Sequence, residues 1–163
     1  MTVLNVHERV LDASASRVGA LLDSLASSDD ALWPHDRWPA MSFDRPLEVG
    51  AVGGHGPVRY SVEAYDPGQR VRFRFTAPRG FDGTHGYYVE PLDEERTVLR
   101  HVLEMQATGP ALVSWPLVFR PLHDALIEDS LDRAEQHLGM TPHPRSWPVW
   151  VRVLRWGLRT LRP

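Results

Sequence analysis

The stretch VRYSVEAYDPGQRVRFRF, Val58 to Phe75, alternates with a period of two on both sides of one turn. In its first half Val58, Tyr60, Val62 and Ala64 alternate with Arg59, Ser61 and Glu63. In its second half Val71, Phe73 and Phe75 alternate with Arg70, Arg72 and Arg74. Such alternation marks strands with one buried face. Between them, Asp66-Pro67-Gly68-Gln69 puts proline and glycine at the centre of a two-residue turn, which predicts a hairpin. The implied register sets Ala64 opposite Val71, Val62 opposite Phe73 and Tyr60 opposite Phe75, so the apolar faces coincide.

Parity carries outward from this hairpin. After the PRGFDG loop, HGYYVE (85–90) places His85, Tyr87 and Val89 inward and Tyr88 and Glu90 outward. DEER turns the chain, and TVLRHVLEMQ (97–106) then places Leu99, His101, Leu103 and Met105 inward. On the first strand Asn5, His7 and Arg9 are assigned to the outer face, which puts Leu4, Val6, Val10 and, against the pattern, Glu8 inside. A first helix opens at Ser14, a candidate N-cap, and buries Val18, Leu21, Leu22 and Leu25. A short second helix is expected from Asp29 to Trp33. Pro34 and Pro39 then make WPHDRWPAM a loop that holds Trp33 and Trp38. A long helix starts at Pro116 or Pro121 and runs to Leu138, where Gly139 ends it. Its apolar stripe is Leu122, Leu126, Ile127, Leu131, Ala134 and Leu138, with His123 at the edge. The order is strand, two short helices, a meander of strands and one long helix. This is an α+β domain over residues 1–140, with a curved antiparallel sheet wrapped around its last helix.

Composition narrows the chemistry. The chain has 163 residues, no cysteine and, among its 18 basic residues, no lysine. Disulfides, thiolate catalysis, cysteine-bound zinc, Schiff bases and a phosphate-loop lysine are thereby excluded. The N-terminus lacks the basic and apolar regions of a secretion signal, and no apolar run approaches the ~18 residues of a membrane span. A cytoplasmic protein is the expectation. Charge is uneven: residues 1–140 carry a balance of −8, and residues 141–163 hold five arginines and no acid.

Four segments, VLDASASRV, PGQRVRFRF, RTVLRHVLEM and PLHDALIEDSLDRAEQHLG, follow one another as in the SRPBCC superfamily, which the chain resembles over residues 3–139. That superfamily includes START-like lipid-transfer domains, polyketide cyclases and aromatases, plant allergens and hormone receptors. The proline usual after the first-strand alanine is Ser14 here, and the 23-residue tail has no counterpart in the minimal family fold. The resemblance implies a helix-grip fold with a deep, mostly apolar cavity between sheet and closing helix. Such a cavity binds or carries a lipid, a polyketide or an aromatic molecule.

The candidate site follows from parity. Glu8, Tyr60, His85, Tyr87, His101 and His123 are polar groups pointing inward, and each needs a partner or water. With Phe73, Phe75, Leu103 and Met105 from the strands, and Trp38 and Trp115 from their flanks, they form a polar-studded apolar pocket. His55, in GGHGPVRY, is either part of a plain glycine turn or a group reaching in from the rim of that pocket. The glycines lead into a strand without a lysine, so phosphate and dinucleotide loops are excluded. As an alternative to binding, a cyclase-like enzyme would use His101 or His85 as base and Tyr60 or Tyr87 as donor to an enolate. Three histidines with Glu8 have the ligand types for a metal but no spacing motif, so no metal and no cofactor are expected. The body's outer arginines alternate with acids, which argues against nucleic acid.

The tail reads differently. As a helix it gathers Trp147, Trp150, Val151, Leu154, Gly157, Leu158 and Leu161 on one side and Arg152, Arg155, Arg159 and Arg162 on another. It either docks on the body, or on a second copy in a homodimer, or lies on an anionic membrane surface through residues 146–162.

Overall fold

The structure, a computed structural model, describes the backbone of residues 1–160 and side chains through residue 157. Leu161 and Arg162, and the side chains of Leu158 and Arg159, lie outside the described residues. Seven strands, β1 (Thr2–Leu11), β2 (Ser42–Phe43), β3 (Val52–His55), β4 (Val58–Asp66), β5 (Arg70–Ala77), β6 (Phe81–Pro91) and β7 (Thr97–Ala107), form one antiparallel sheet. Its order is β1-β7-β6-β5-β4-β3-β2. Helix α1 (Ala15–Asp23) follows β1. After β7 come α2 (Ala111–Ser114), a π-helical turn (Trp115–Phe119), α3 (Arg120–His137) and α4 (Val149–Thr160).

The central hairpin pairs Tyr60 with Phe75 and Val62 with Phe73, as parity requires. Past Val62 a bulge shifts the register, so Ala64 faces Arg72 and Tyr65 faces Val71. The bulge leaves Glu63 to pair with Arg72 and Arg74 at 2.7 and 2.5 Å.

β1 is turned over relative to its sequence reading. It pairs His7 with His101 and Glu8 with Arg100 along β7. Directly paired residues share a face, so β7 sets the parity of β1. Asn5, His7 and Arg9 thus face α3, while Leu4, Val6 and Val10 are exposed. Glu8 leaves the candidate site altogether: it lies on the convex face, 3.0 Å from Arg100. The cause is the partner helix, which offers β1 carboxylates. Arg9 bonds Glu128, Asp132 and Glu135 of α3 at 3.0, 3.1 and 2.6 Å.

The expected second helix is absent. The Asp30 carboxylate accepts the amides of Ala26, Leu32 and Trp33 at 2.8, 3.0 and 2.7 Å, giving the backbone turn partners in place of helical ones. Ser14 sits at the N-cap of α1 in extended conformation, but its hydroxyl meets Ser16 rather than an amide. The long helix begins earlier than expected, at Ala111. Pro116 and Pro121 lack amides, and the π-helical turn carries the chain past them without a break.

α3 lies across the concave face with Leu126, Ile127, Leu131 and Ala134 buried. The Tyr87 hydroxyl meets Ser130 Oγ at 2.8 Å, and Ser130 donates to the Leu32 carbonyl at 3.0 Å. The tail returns over α3. Val151 is buried, and Trp147 Nε1 donates to Asp129 Oδ2 at 3.1 Å. Trp150 and Trp156 stay 51% and 71% exposed, so docking covers only part of the tail's tryptophan surface.

Helix α1 packs directly on the β4–β5 turn. A Cβ added to Gly19 would come within 2.4 Å of the Gly68 carbonyl oxygen, which is backbone and cannot rotate away. Asp23 anchors the same turn by accepting from the Gly68 amide at 2.8 Å. Gly19→Ala is therefore expected to cost about 1–3 kcal/mol, as overpacking does. Urea denaturation should show a lower midpoint with an unchanged slope; a midpoint equal to that of the parent would refute this contact.

Candidate ligand-binding site

A cavity of about 140 Å³ lies between the concave face of β4–β7 and the N-terminal half of α3. Its walls include Trp38, His55, Phe75, His85, His101, Leu103, Trp115 and His123, all expected from the sequence. Tyr60, Phe73, Tyr87 and Met105 also point inward but are sealed behind that wall and do not line the cavity. Other wall residues have no signal in strand parity: Trp33 and Pro39 from the loop, and Val118 and Phe119 from the π-helical turn; Phe81, expected in a loop, instead opens β6 on the parity of His85. Leu122, Leu126 and Ile127 join the wall from the apolar stripe of α3, and Gly56, Pro57 and Val58 close it beside His55.

The glycines around His55 shape the rim. β3 ends at His55 and β4 begins at Val58, so the hairpin turn is Gly56-Pro57, with Gly56 at φ +50°. This left-handed conformation suits glycine. His55 thereby reaches inward, lies tilted at 52° to the Trp33 ring with centroids 4.7 Å apart, and meets the Tyr60 hydroxyl through Nδ1 at 2.9 Å.

The other imidazoles run in a row across the sheet. His85 Nδ1 lies 3.4 Å from His101 Nε2, and the His101 ring lies 5.0 Å from that of His123. His85 Nε2, His101 Nδ1 and both nitrogens of His123 are shielded from solvent with no hydrogen-bond partner. Neither His85 nor His101 bonds a tyrosine: Tyr87 is committed to Ser130 and Tyr60 to His55.

Burial decides the protonation of this row. Desolvation, reinforced by neighbouring histidines, pulls His85 and His101 well below the ordinary imidazole value. It brings His55 down to about 3. Desolvation also raises Tyr60 well above its ordinary value, so the His55–Tyr60 pair stays neutral. His7 behaves oppositely. Desolvation lowers it, but hydrogen bonds to Asp124 and Glu128 outweigh that and raise it to about 9.

One carboxylate ties the rim to the tail. Asp129 Oδ2 accepts from Trp38 Nε1 at 2.7 Å and from Trp147, while Oδ1 accepts from Arg37 at 2.8 Å. The Arg155 guanidinium lies 4.1 Å from the Trp38 ring and 4.2 Å from the Trp147 ring. Desolvation nevertheless raises the Asp129 carboxyl above its ordinary value. Sequence reasoning missed Asp129, which reads there as one more acid of an amphipathic helix.

No protein-family model matches the chain, and no curated protein matches it by sequence. Solved structures do. Norcoclaurine synthase from Thalictrum flavum, in complex with dopamine and hydroxybenzaldehyde, superposes with TM-score 0.62 at 16% identity, covering 90% of each chain. A START superfamily protein from Mycobacterium smegmatis gives 0.57 at 12% identity over 83% of this chain and 97% of its own. CalU16 from Micromonospora echinospora gives 0.60 at 13% identity over 98% and 94%. The chain has an α+β helix-grip fold, the fold shared with these structures.

Sequence alone suggests that ligand affinity falls as pH drops through about 6.5, the free imidazole value. Burial moves that effect from affinity to stability. For His55, His85 and His101 the folded value lies below the unfolded one. Their contribution is complete above about pH 6.5 and is lost as pH falls below it, at up to about 1.4 kcal/mol per pH unit for each group. For His7 the folded value lies above the unfolded one, so its contribution is complete below about 6.5 and lost as pH rises toward 9. Unfolding free energy in chelated buffer should therefore peak near pH 6.5, with a shallower acid limb in His101→Leu. An acid limb unchanged by that substitution would mean that His101 is protonated in the folded protein.

Proposed function

We propose that the protein binds a small, neutral aromatic molecule carrying a hydroxyl or carbonyl group. The observation that carries this reading is the set of shielded, unpartnered imidazole nitrogens on His85 and His101 in an otherwise apolar cavity. Size limits the ligand: a dry apolar cavity of about 150 Å³ takes a benzene-sized molecule, and this one measures about 140 Å³. A diacyl lipid or a multi-ring polyketide would need the walls to move. Charge limits it further. Because His85 Nδ1 and His101 Nε2 face each other, the two neutral rings keep one free acceptor and one free donor between them, which suits a phenol or an aldehyde better than a carboxylate. The dopamine and hydroxybenzaldehyde in the norcoclaurine synthase structure are likewise hydroxylated molecules of one aromatic ring, though larger than benzene. Binding is favoured over cyclase-like turnover because both inward tyrosines are already bonded away from His85 and His101.

Trp33, Trp38 and Trp115 line the cavity and report its occupancy. Titration with phenol should quench tryptophan fluorescence saturably, with affinity flat between pH 8 and pH 5, and 4-hydroxybenzaldehyde should do the same at pH 5–6, where its more acidic phenol is un-ionised. Ile127→Trp should weaken binding at least about tenfold by filling the space. Saturable binding of long-chain fatty acid, with no response to either phenolic probe, would overturn the reading.

A second reading concerns the tail. Val149, Trp150, Val153 and Trp156 of α4 are exposed beside Arg152. Trp150 bonds the carbonyl of Leu117, whose side chain is exposed with those of Leu112 and Val113. We infer that this apolar, arginine-edged patch rests on an anionic membrane surface. Among the described residues no helix is long and apolar enough to cross a membrane. Sedimentation with anionic vesicles should be weakened by salt and largely lost in Trp150→Ser/Trp156→Ser. Equal partitioning of the parent and this variant would exclude the patch.

A further inference from the structure

The overturned β1 brings His7, His123 and Asp124 together where β1 meets α3, and one ligand atom from each lies within 4.8 Å of the others. None of the three has a role in the aromatic-binding reading beyond the place of His123 in the cavity wall. His7 Nε2 lies 3.2 Å from Asp124 Oδ1, and His123 Nδ1 lies 3.6 Å from the same oxygen, too far for a hydrogen bond. A tetrahedral ion with bonds of 2.0–2.1 Å spaces its ligands about 3.3 Å apart. Two of the three separations are therefore close to those of a bound ion.

The surroundings point the same way. The second nitrogen of His7, Nδ1, lies 2.7 Å from Glu128, which Arg9 holds in turn at 3.0 Å. A carboxylate on the far nitrogen is the usual companion of a metal-bound histidine, fixing its tautomer and orientation. Asn5 Nδ2 donates to Asp124 at 2.9 Å, while Asn5 Oδ1 and both His123 nitrogens are shielded and unpartnered. α3 presents Asp124, Glu128, Asp132 and Glu135 along this seam, against Arg9 and His7 from β1 and its own Arg120, 3.8 Å from Asp124 Oδ2. The excess of carboxylate favours a cation. Two imidazoles and one carboxylate suit Zn²⁺ and related first-row ions; Ca²⁺ and Mg²⁺ prefer more oxygen ligands.

We propose that His7, His123 and Asp124 bind Zn²⁺ or a similar first-row divalent cation, with Glu128 as a positioning residue acting through His7 Nδ1. The ion takes the place of the hydrogen that His7 Nε2 shares with Asp124. The alternative is a plain ion-pair cluster that joins strand to helix. Full-length protein stripped with chelator should take up one Zn²⁺ per chain by calorimetry, and Co²⁺ should give visible ligand-field absorption in the same stoichiometry. His123→Gln and Asp124→Asn should each abolish the Co²⁺ spectrum, and Glu128→Gln should weaken Zn²⁺ binding about 10–100-fold. His143→Ala, at an exposed histidine outside the cluster, should change neither. If Asp124→Asn fails to fold, His123→Gln still decides, since it breaks no hydrogen bond. No uptake by the parent, or uptake and spectrum unchanged in His123→Gln, would leave the ion-pair cluster as the account and overturn the metal site.

Discussion

The relay from Tyr87 through Ser130 to the Leu32 carbonyl fixes how closely the long helix can approach the sheet. It ties β6, α3 and the loop before Trp33 at one point, where all three side chains are fully buried. Removing the Ser130 hydroxyl leaves the Tyr87 hydroxyl and the Leu32 carbonyl without this partner, at a cost of about 1–3 kcal/mol. On the C-terminal side of Ser130, Leu131 and Ala134 are sealed in the core. On the N-terminal side, Ile127, Leu126 and His123 border open space. The relay is thus the buried support beneath the cavity's floor. Because Trp33 follows Leu32 directly, the same bond also sets a ring over the cavity's opposite side.

Charge is sorted around that floor. The arginines of β4 and β5 stay on the convex face, where Arg72 and Arg74 share Glu63. The carboxylates of α3 turn to β1, where Arg9 and His7 meet them. The interior is left with imidazoles, and burial keeps these uncharged. Outside that seam two acids are buried among the described residues: Asp30, whose carboxylate accepts backbone amides, and Asp129. The charge of Asp129 is held at the rim by Arg37 and two indole N–H groups, one from the body and one from the tail. The tail is therefore fastened through the same residue that positions Trp38.

Strand parity was legible wherever the two faces of a strand differ in polarity. β4 to β7 alternate arginine or acid with apolar and aromatic residues, and their inward sets are those the structure buries, except Ala64, which the bulge in β4 pairs with Arg72. β1 misled because its convex residues are apolar and its concave ones polar, the reverse of the usual rule. Only cross-strand pairing with β7 and the acids of α3 decide its facing, and neither is visible in a single strand. The same limit governs the site. His85, His101 and Leu103 were legible by alternation, whereas Tyr60, Phe73 and Tyr87 face inward yet are covered by neighbours whose positions depend on packing. Val118 and Phe119 enter the wall only because a π-helical turn rotates that segment, an adjustment to two prolines that periodicity cannot foresee.

His123 connects the charged seam to the neutral cavity. Its ring lies 5.0 Å from His101 on one side and 5.9 Å from His7 on the other. Behind desolvation, the positive charge on His7 is a further cause that lowers both His123 and His101. Charge on β1 thus helps to hold the cavity's imidazoles neutral, although His7 is not among the residues that line the cavity. A divalent cation in the seam would exert the same influence more strongly, since its charge is larger and would sit against His123 itself. The ligand preference of the cavity and the occupant of the seam are for this reason linked physically through one imidazole. A neutral hydroxyl or carbonyl group is the kind of ligand that such a field leaves undisturbed.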